Sequence, residues 1–453
     1  MNFYPHKCMF IGLRLHLAAA VLALFVILVA PATAQTPATP IAQPSTSTSP
    51  SPASIKITAY TLPPERAKKA HDLNRIYFRY SLISFFYGLI ALWLILRAKL
   101  APMYRDWAEK ISSRRLLQVL VFSPLFILTL DLLELPLGIY RHWLSTSYGL
   151  SISSWTIWFW DWTKTELLTI VGGTILIWIL WTVIRHSARR WWIWFWAASL
   201  PLGVVLVFLT PLILDPLFHK FEPLAQKDPM LTAELQRLVQ RAGEDIPPER
   251  MFWMGAGEKT TTLNAYVTGL GPSKRIVVWD TTIAKMSTPQ IVFVTGHEMG
   301  HYVLQHILKG LAIGAALLLL AYYLASLAVG WVLFRFGSKW MIRGLDDVAS
   351  LPVLVLLFTI FAFVGNPVVS GISRHYEHQA DQYALEVTHN LTPDPAQACA
   401  QAFQVLGNVG LSDPDPLPAD VFMFYDHPPI RDRVQFCLSY DPWLHGGQGE
   451  FVR

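Results

Sequence analysis

Two histidines four residues apart, with a glutamate beside the first, mark the stretch VTGHEMGHYVLQH at 294–306. On a helix, positions i and i+4 share a face, so His297 and His301 can offer two imidazoles to one ion. Neutral imidazole suits zinc. Glu298 can then accept a proton from a metal-activated water. Buried histidines are often structural, so this pattern needs support from elsewhere in the chain. His306, five residues further along a continuous helix, faces elsewhere and is read as a non-ligand.

A catalytic zinc needs a third protein ligand and an open position. The segment SRHYEHQADQYALE at 373–386 supplies Glu377 and Asp381, four apart on one helical face. Glu377 is the candidate ligand. Asp381 is the candidate acceptor for the outer N–H of a ligating imidazole. His375 and His378 compete with Glu377, and an ordinary charged helix beside a membrane has the same composition. The three cysteines, Cys8, Cys399 and Cys437, lack the spacing of a zinc knuckle. Cys399 and Cys437 can bridge in an oxidising compartment or remain two buried thiols.

The elements that must carry these residues are mostly apolar. Of 453 residues, 53% are hydrophobic and 15% charged, too few charges for a soluble enzyme of this length. Apolar runs lie near 80–97, 116–140, 167–184, 191–214, 307–334 and 350–369. They predict six membrane helices in a mainly α-helical, polytopic protein. A seventh forms if the N-terminal run is retained. Residues 1–34 read as a signal peptide, with Ala32-Thr33-Ala34 as its cleavage pattern. Residues 35–55, rich in Pro, Ser and Thr, read as a disordered linker. Residues 56–214 then form a membrane domain of four helices, and 215–453 a metal-binding domain interrupted by the last two.

The net charge of +5 does not indicate a nucleic-acid partner, because the basic residues concentrate in short loops beside apolar runs. Arg97, Lys99, Arg105, Lys110, Arg114 and Arg115 share one membrane side with Arg185, Arg189, Arg190, Arg335, Lys339 and Arg343. The opposing loop 141–165 has only Arg141 and Lys164. The expectation is a cell-membrane protein with the polar segment 215–306 and the C-terminal part outside the cytoplasm. Trp155, Trp158, Trp160, Trp162, Trp191, Trp192, Trp194 and Trp196 suit the headgroup level. Asp131 and Glu134 are either functional intramembrane acids or residues at an outer end facing water.

Ser287-Thr288-Pro289-Gln290 reads as a helix start. The run from there is expected to continue unbroken into the fifth span. KRIVVWD at 274–280, after the turn-forming GLGPS, reads as a strand whose edge could take an extended peptide.

Several ordered motifs resemble the type I CAAX prenyl proteases, integral-membrane zinc endopeptidases of the gluzincin kind. They are TLPPERAKKA at 61–70, DPLFHKFEPL at 215–224 and NAYVTGLGPSKRIVVWDTT at 264–282. HEMGHYVLQH at 297–306, SRHYEHQAD at 373–381 and HPPIRDR at 427–433 complete the set. The resemblance covers roughly residues 56–440. It implies a gluzincin-like domain with a small β-sheet and one zinc ion on His297, His301 and Glu377. It makes Glu298 the general base and Asp381 the residue behind a ligand. It implies that Asn264 holds the substrate, and that His427 and Arg433 stabilise the oxyanion and the substrate's C-terminal part. Family members remove the last three residues of prenylated C-terminal motifs and, in eukaryotes, face the cytosol. The expected activity is hydrolysis near the C-terminus of a peptide or membrane-associated protein, lipidated or not, in contact with membrane lipids. A quality-control protease using the same residues is the alternative. A non-catalytic scaffold or transporter is a more distant one.

Overall fold

The computed structural model describes residues 56–210, 214–269 and 271–452. The signal-peptide and linker expectations therefore lie outside the described residues. The chain begins with α1 (Pro64–Arg97), α2 (Leu100–Ile111), α3 (Arg115–Ser147), α4 (Trp155–His186) and α5 (Trp191–Leu209). Proline in the first turn starts α1, and the Ser154 side chain accepts the Ile157 N–H at the start of α4. At 34 residues, α1 is longer than the ~20 that cross a bilayer. The expected first span is only its C-terminal half.

A mixed sheet follows, built from β1 (Phe221–Pro223), β2 (Met251–Met254), β3 (Ala265–Thr268) and β4 (Arg275–Trp279). Helix α6 (Pro229–Arg241) lies between β1 and β2 in sequence. The strand order is β1-β2-β4-β3, which leaves β3 at an edge. β2 and β4 are parallel, and β3 pairs antiparallel with β4 through Ala265 opposite Val278. The IVVW run of β4 is buried on both faces, as expected of a strand packed on two sides.

Next come α7 (Asp280–Lys285), α8 (Thr288–Val303), α9 (His306–Phe336) and the 38-residue α10 (Leu351–Thr388). Helices α11 (Pro395–Gly410), α12 (Pro418–Phe424) and α13 (Ile430–Ser439) close the chain. The expected start of α8 forms as a capping box, with the Ser287 N–H donating to Gln290 Oε1 at 3.0 Å. The expected continuity into the fifth span does not hold. Gln305 adopts φ +58°, a left-handed conformation that ends one helix and begins the next.

Among the described residues, α1, α3, α4, α9 and α10 are long and apolar enough to cross a membrane, while α5 is shorter. Asp131 and Glu134 are buried within α3, so they do not face water at its end. The tryptophans divide into two kinds. Trp160 and Trp194 are exposed, whereas Trp191 is fully buried and Trp196 donates its indole N–H to Ala315 O at 2.8 Å. One apolar core, including Phe122, Phe126 and Tyr322, joins the membrane helices. A second, including Phe293, Phe403 and Leu235, underlies the sheet and α8.

The basic loops meet at one end of the molecule. Arg105 binds Asp347 at 2.5 Å, and Arg343 binds Glu109 at 2.6 Å. At the other end the loop before α4 meets the polar segment. Lys259 pairs with Asp161 at 3.2 Å, and the Thr260 hydroxyl donates to Leu150 O. Near that joint, burial and then the Lys259 charge hold His219 down at about 4, so it is neutral.

The C-terminal segment is tied back onto α10. The fully buried Glu386 carboxylate accepts backbone N–H groups of Glu450, Phe451 and Val452 and the Tyr440 hydroxyl. Cys399 of α11 and Cys437 of α13 form a disulfide.

Candidate active site

The site lies where α8 crosses α10. Gly296 and Gly300, one turn apart on α8, permit the approach. A Cβ on Gly300 would lie 3.0 Å from Tyr383 Cδ1 and 3.3 Å from Ala380 Cα. One on Gly296 would lie 3.2 Å from Val387 Cγ1. Both are tight contacts for a side chain, so the spacing depends on their absence.

At this crossing three donors converge. His301 Nε2 is 3.2 Å from His297 Nε2. Glu377 Oε2 is 3.2 Å from His297 Nε2, and Glu377 Oε1 is 3.3 Å from His301 Nε2. Tetrahedral metal bonds of ~2.0–2.1 Å give donor–donor edges of about 3.3 Å, so each of these contacts has the length of one edge of such a site. These three form the metal-competent cluster found among the described residues. Glu377 Oε2 supports the fit: it is buried amid nitrogens yet makes no well-directed hydrogen bond. Burial drives the His297 pKa down, but Glu377 and Asp381 outweigh it and push the group up to about 9. The protein field at this point therefore favours positive charge.

Behind the triangle, the His297 Nδ1–H donates to Asp381 Oδ1 at 2.8 Å. This fixes the tautomer that turns Nε2 towards the other donors. Asp381 is held by Arg433, with Nε 2.7 Å from Oδ2 and Nη2 2.5 Å from Oδ1. The Arg433 guanidinium is almost completely buried and stacks over Phe403 at 4.2 Å. Its Nη2 also lies 3.4 Å from Glu377 Oε2.

His427 stands at the front. Its Nε2 is 3.2 Å from Glu377 Oε2, and its Nδ1 is 2.8 Å from Asp426 Oδ1. Burial lowers its pKa, but Glu377 and Asp426 more than compensate and hold it above the ordinary imidazole value. Glu298 is half-buried beside His297 on α8. Asn264 is buried immediately before the edge strand β3, its N–H donating to Thr282 Oγ1 at 2.8 Å.

The rivals to Glu377 lie elsewhere. The His378 ring packs against Phe436 at 4.3 Å, and His375 lies beside Tyr376. His306, expected to face away, instead has Nδ1 3.1 Å from His301 Nδ1. The sequence reading also missed Gln379, Asp426 and the two glycines. Gly296 and Gly300, spaced like small residues at close helix crossings, were the available signal. Asp426, adjacent to His427, was another.

Similarity to known proteins agrees with this geometry. Residues 225–440 match peptidase family M48. Residues 46–220 match the CAAX prenyl protease N-terminal family, described as five membrane helices. An uncharacterized metalloprotease of Bacillus subtilis, YhfN, is 34% identical over 78% of this chain and 81% of its own. CAAX prenyl protease 1 of Saccharomyces cerevisiae is 28% identical over 71% of this chain and 72% of its own. The crystal structure of S. mikatae Ste24p shares the fold, with a TM-score of 0.71 at 23% identity, covering 83% of this chain and 89% of that one. With the metal-competent triangle, the neighbouring glutamate and the membrane helices, these matches lead to one conclusion: the chain belongs to peptidase family M48 and is an integral-membrane metalloendopeptidase of the CAAX-protease type.

Proposed function

We propose that the chain is a zinc endopeptidase that cleaves near the C-terminus of an extended peptide or membrane-associated protein tail. The convergence of His297, His301 and Glu377 to within 3.3 Å, with Glu298 on the same helix as the histidines, carries the reading. One zinc ion held there would supply Lewis acidity and make water a nucleophile near neutral pH.

The protein's own groups do the rest. Glu298 takes a proton from the attacking water and passes it to the leaving amine. His427, steadied by Asp426, donates its Nε2–H to the developing oxyanion. One such preorganised donor is worth about 3–4 kcal/mol of barrier. Asp381 and Arg433 keep His297 in its ligating orientation. The substrate lies along the outer edge of β3 as an added strand, with Asn264 at the start of that edge holding its backbone.

The catalytic face is extracytoplasmic on this reading, in a bacterial cell membrane. The basic loops joined through Arg105–Asp347 and Arg343–Glu109 support a cytoplasmic location for the opposite end. The Cys399–Cys437 pair supports an oxidising surround for the protease part.

The test is hydrolysis of matched peptides, with and without a C-terminal prenyl group, by the purified parent and the Glu298→Gln variant. The parent is expected to cleave. The variant should keep its zinc and lose about 10²–10⁴-fold in rate. Equal rates for the two proteins would remove Glu298 as the base. Preference for unfolded proteins over both peptides would turn the assignment to quality control.

A further inference from the structure

His306 stands outside the donor triangle, yet its ring is held from three directions. Its Nε2 is 3.1 Å from Gln379 Oε1, and its Nδ1 is 3.1 Å from His301 Nδ1. Its face stacks on Tyr376, with centroids 4.4 Å apart and planes inclined by 9°. The left-handed Gln305 makes this possible, because it turns the first residue of α9 back towards α8.

Hydrogen-bond polarity follows from the groups present. An amide oxygen only accepts, so His306 Nε2 carries the proton at that end. A ligating His301 keeps its lone pair at Nε2 and its proton at Nδ1, so the His306 Nδ1, 3.1 Å away, accepts that N–H. His301 Nε2 is left with its lone pair, directed towards His297 Nε2 and Glu377 Oε1.

We propose that His306, oriented by Gln379, is a positioning residue that locks the tautomer and ring angle of His301 for metal binding. This rests on the reading of His297, His301 and Glu377 as ligands. The two ligating imidazoles are backed by unlike groups. His297 has a carboxylate, Asp381, itself paired with Arg433. His301 has an imidazole, that of His306.

The experiment measures Zn2+ affinity of the full-length protein in detergent by competition with a chelator. His306→Ala should bind zinc ~10–100-fold more weakly. In His306→Asn, the side-chain oxygen falls near the lost Nδ1, and affinity should return towards the parent value. The metal-free unfolding midpoints of the two variants should match. Parent-like affinity in His306→Ala, or equal weakness in His306→Ala and His306→Asn, overturns the proposal. If those variants do not fold, Gln379→Leu and Gln379→Glu provide the same contrast, because only glutamate preserves the acceptor. Equal affinity in that pair also overturns it. His301→Ala separates the two readings. Zinc retained in His301→Ala refutes the ligand assignment itself. Zinc lost there, with His306→Ala like the parent, removes only the role of His306.

Discussion

Glu377 is the residue on which the cluster converges. Its buried carboxylate faces His297, His301, His427 and Arg433, all within 3.4 Å. Removing it should abolish tight zinc binding, so purified Glu377→Ala is expected to be metal-free by elemental analysis. His375→Ala should retain a full complement, because its ring lies beside Tyr376 and outside the triangle. At this scale the sequence was partly legible. Helical spacing was enough to pair His297 with His301 and Glu377 with Asp381. Nothing in a single sequence indicates that His427 and Arg433 fold back to the same point; only the family resemblance did. Arg433 there meets both Glu377 and Asp381. Both of its contacts with Asp381 come from a rigid planar fork, which a lysine cannot reproduce.

At the level of elements, the site depends on how closely α8 approaches α10. A larger side chain at position 300 would meet Tyr383 and the backbone of Ala380. Overpacking of this kind costs about 1–3 kcal/mol, and here it also separates the two halves of the metal site. Gly300→Leu is therefore expected to lower the thermal midpoint and to lose zinc affinity together; a variant with both at parent values would show that the helices have room. Element boundaries were less legible than element types. The start of α8 was readable because Ser287, Pro289 and Gln290 have specific capping chemistry. Its end was not. Gln305 adopts a left-handed conformation without the glycine or proline that would announce a break. Reading one continuous helix through it carried His306 to the wrong face.

For the whole molecule, the charge pattern and the contacts describe the same axis. The basic loops pair with one another at one end, while Lys259 and Thr260 of the protease part bind the loop and helix start at the other. The orientation can be read directly. Met230 is 81% exposed on α6, and both cysteines of the protease part are tied in a buried disulfide. A Met230→Cys protein should react with a membrane-impermeant maleimide in intact cells. Protection there, with labelling only after lysis, would invert the orientation. The number of apolar runs was legible, since each corresponds to a helix. Their lengths were not, because α1 begins on polar residues that hydropathy alone does not recognise as helical, with Ala70, Leu73 and Tyr77 packed against Leu144 and Leu411.

The anchoring of residues 450–452 by Glu386 bears on how the enzyme is made. His297 and His301 are synthesised first, then two long apolar helices, then Glu377, and His427, Arg433 and residues 450–452 later still. Until those later stretches leave the ribosome, Asp381 lacks Arg433, Glu386 lacks the backbone N–H groups of residues 450–452, and the proposed oxyanion donor His427 is not yet made. A nascent chain is therefore expected to be harmless to its neighbours during biogenesis, with peptide-bond cleavage switched on only once residues 427–452 have been made and docked.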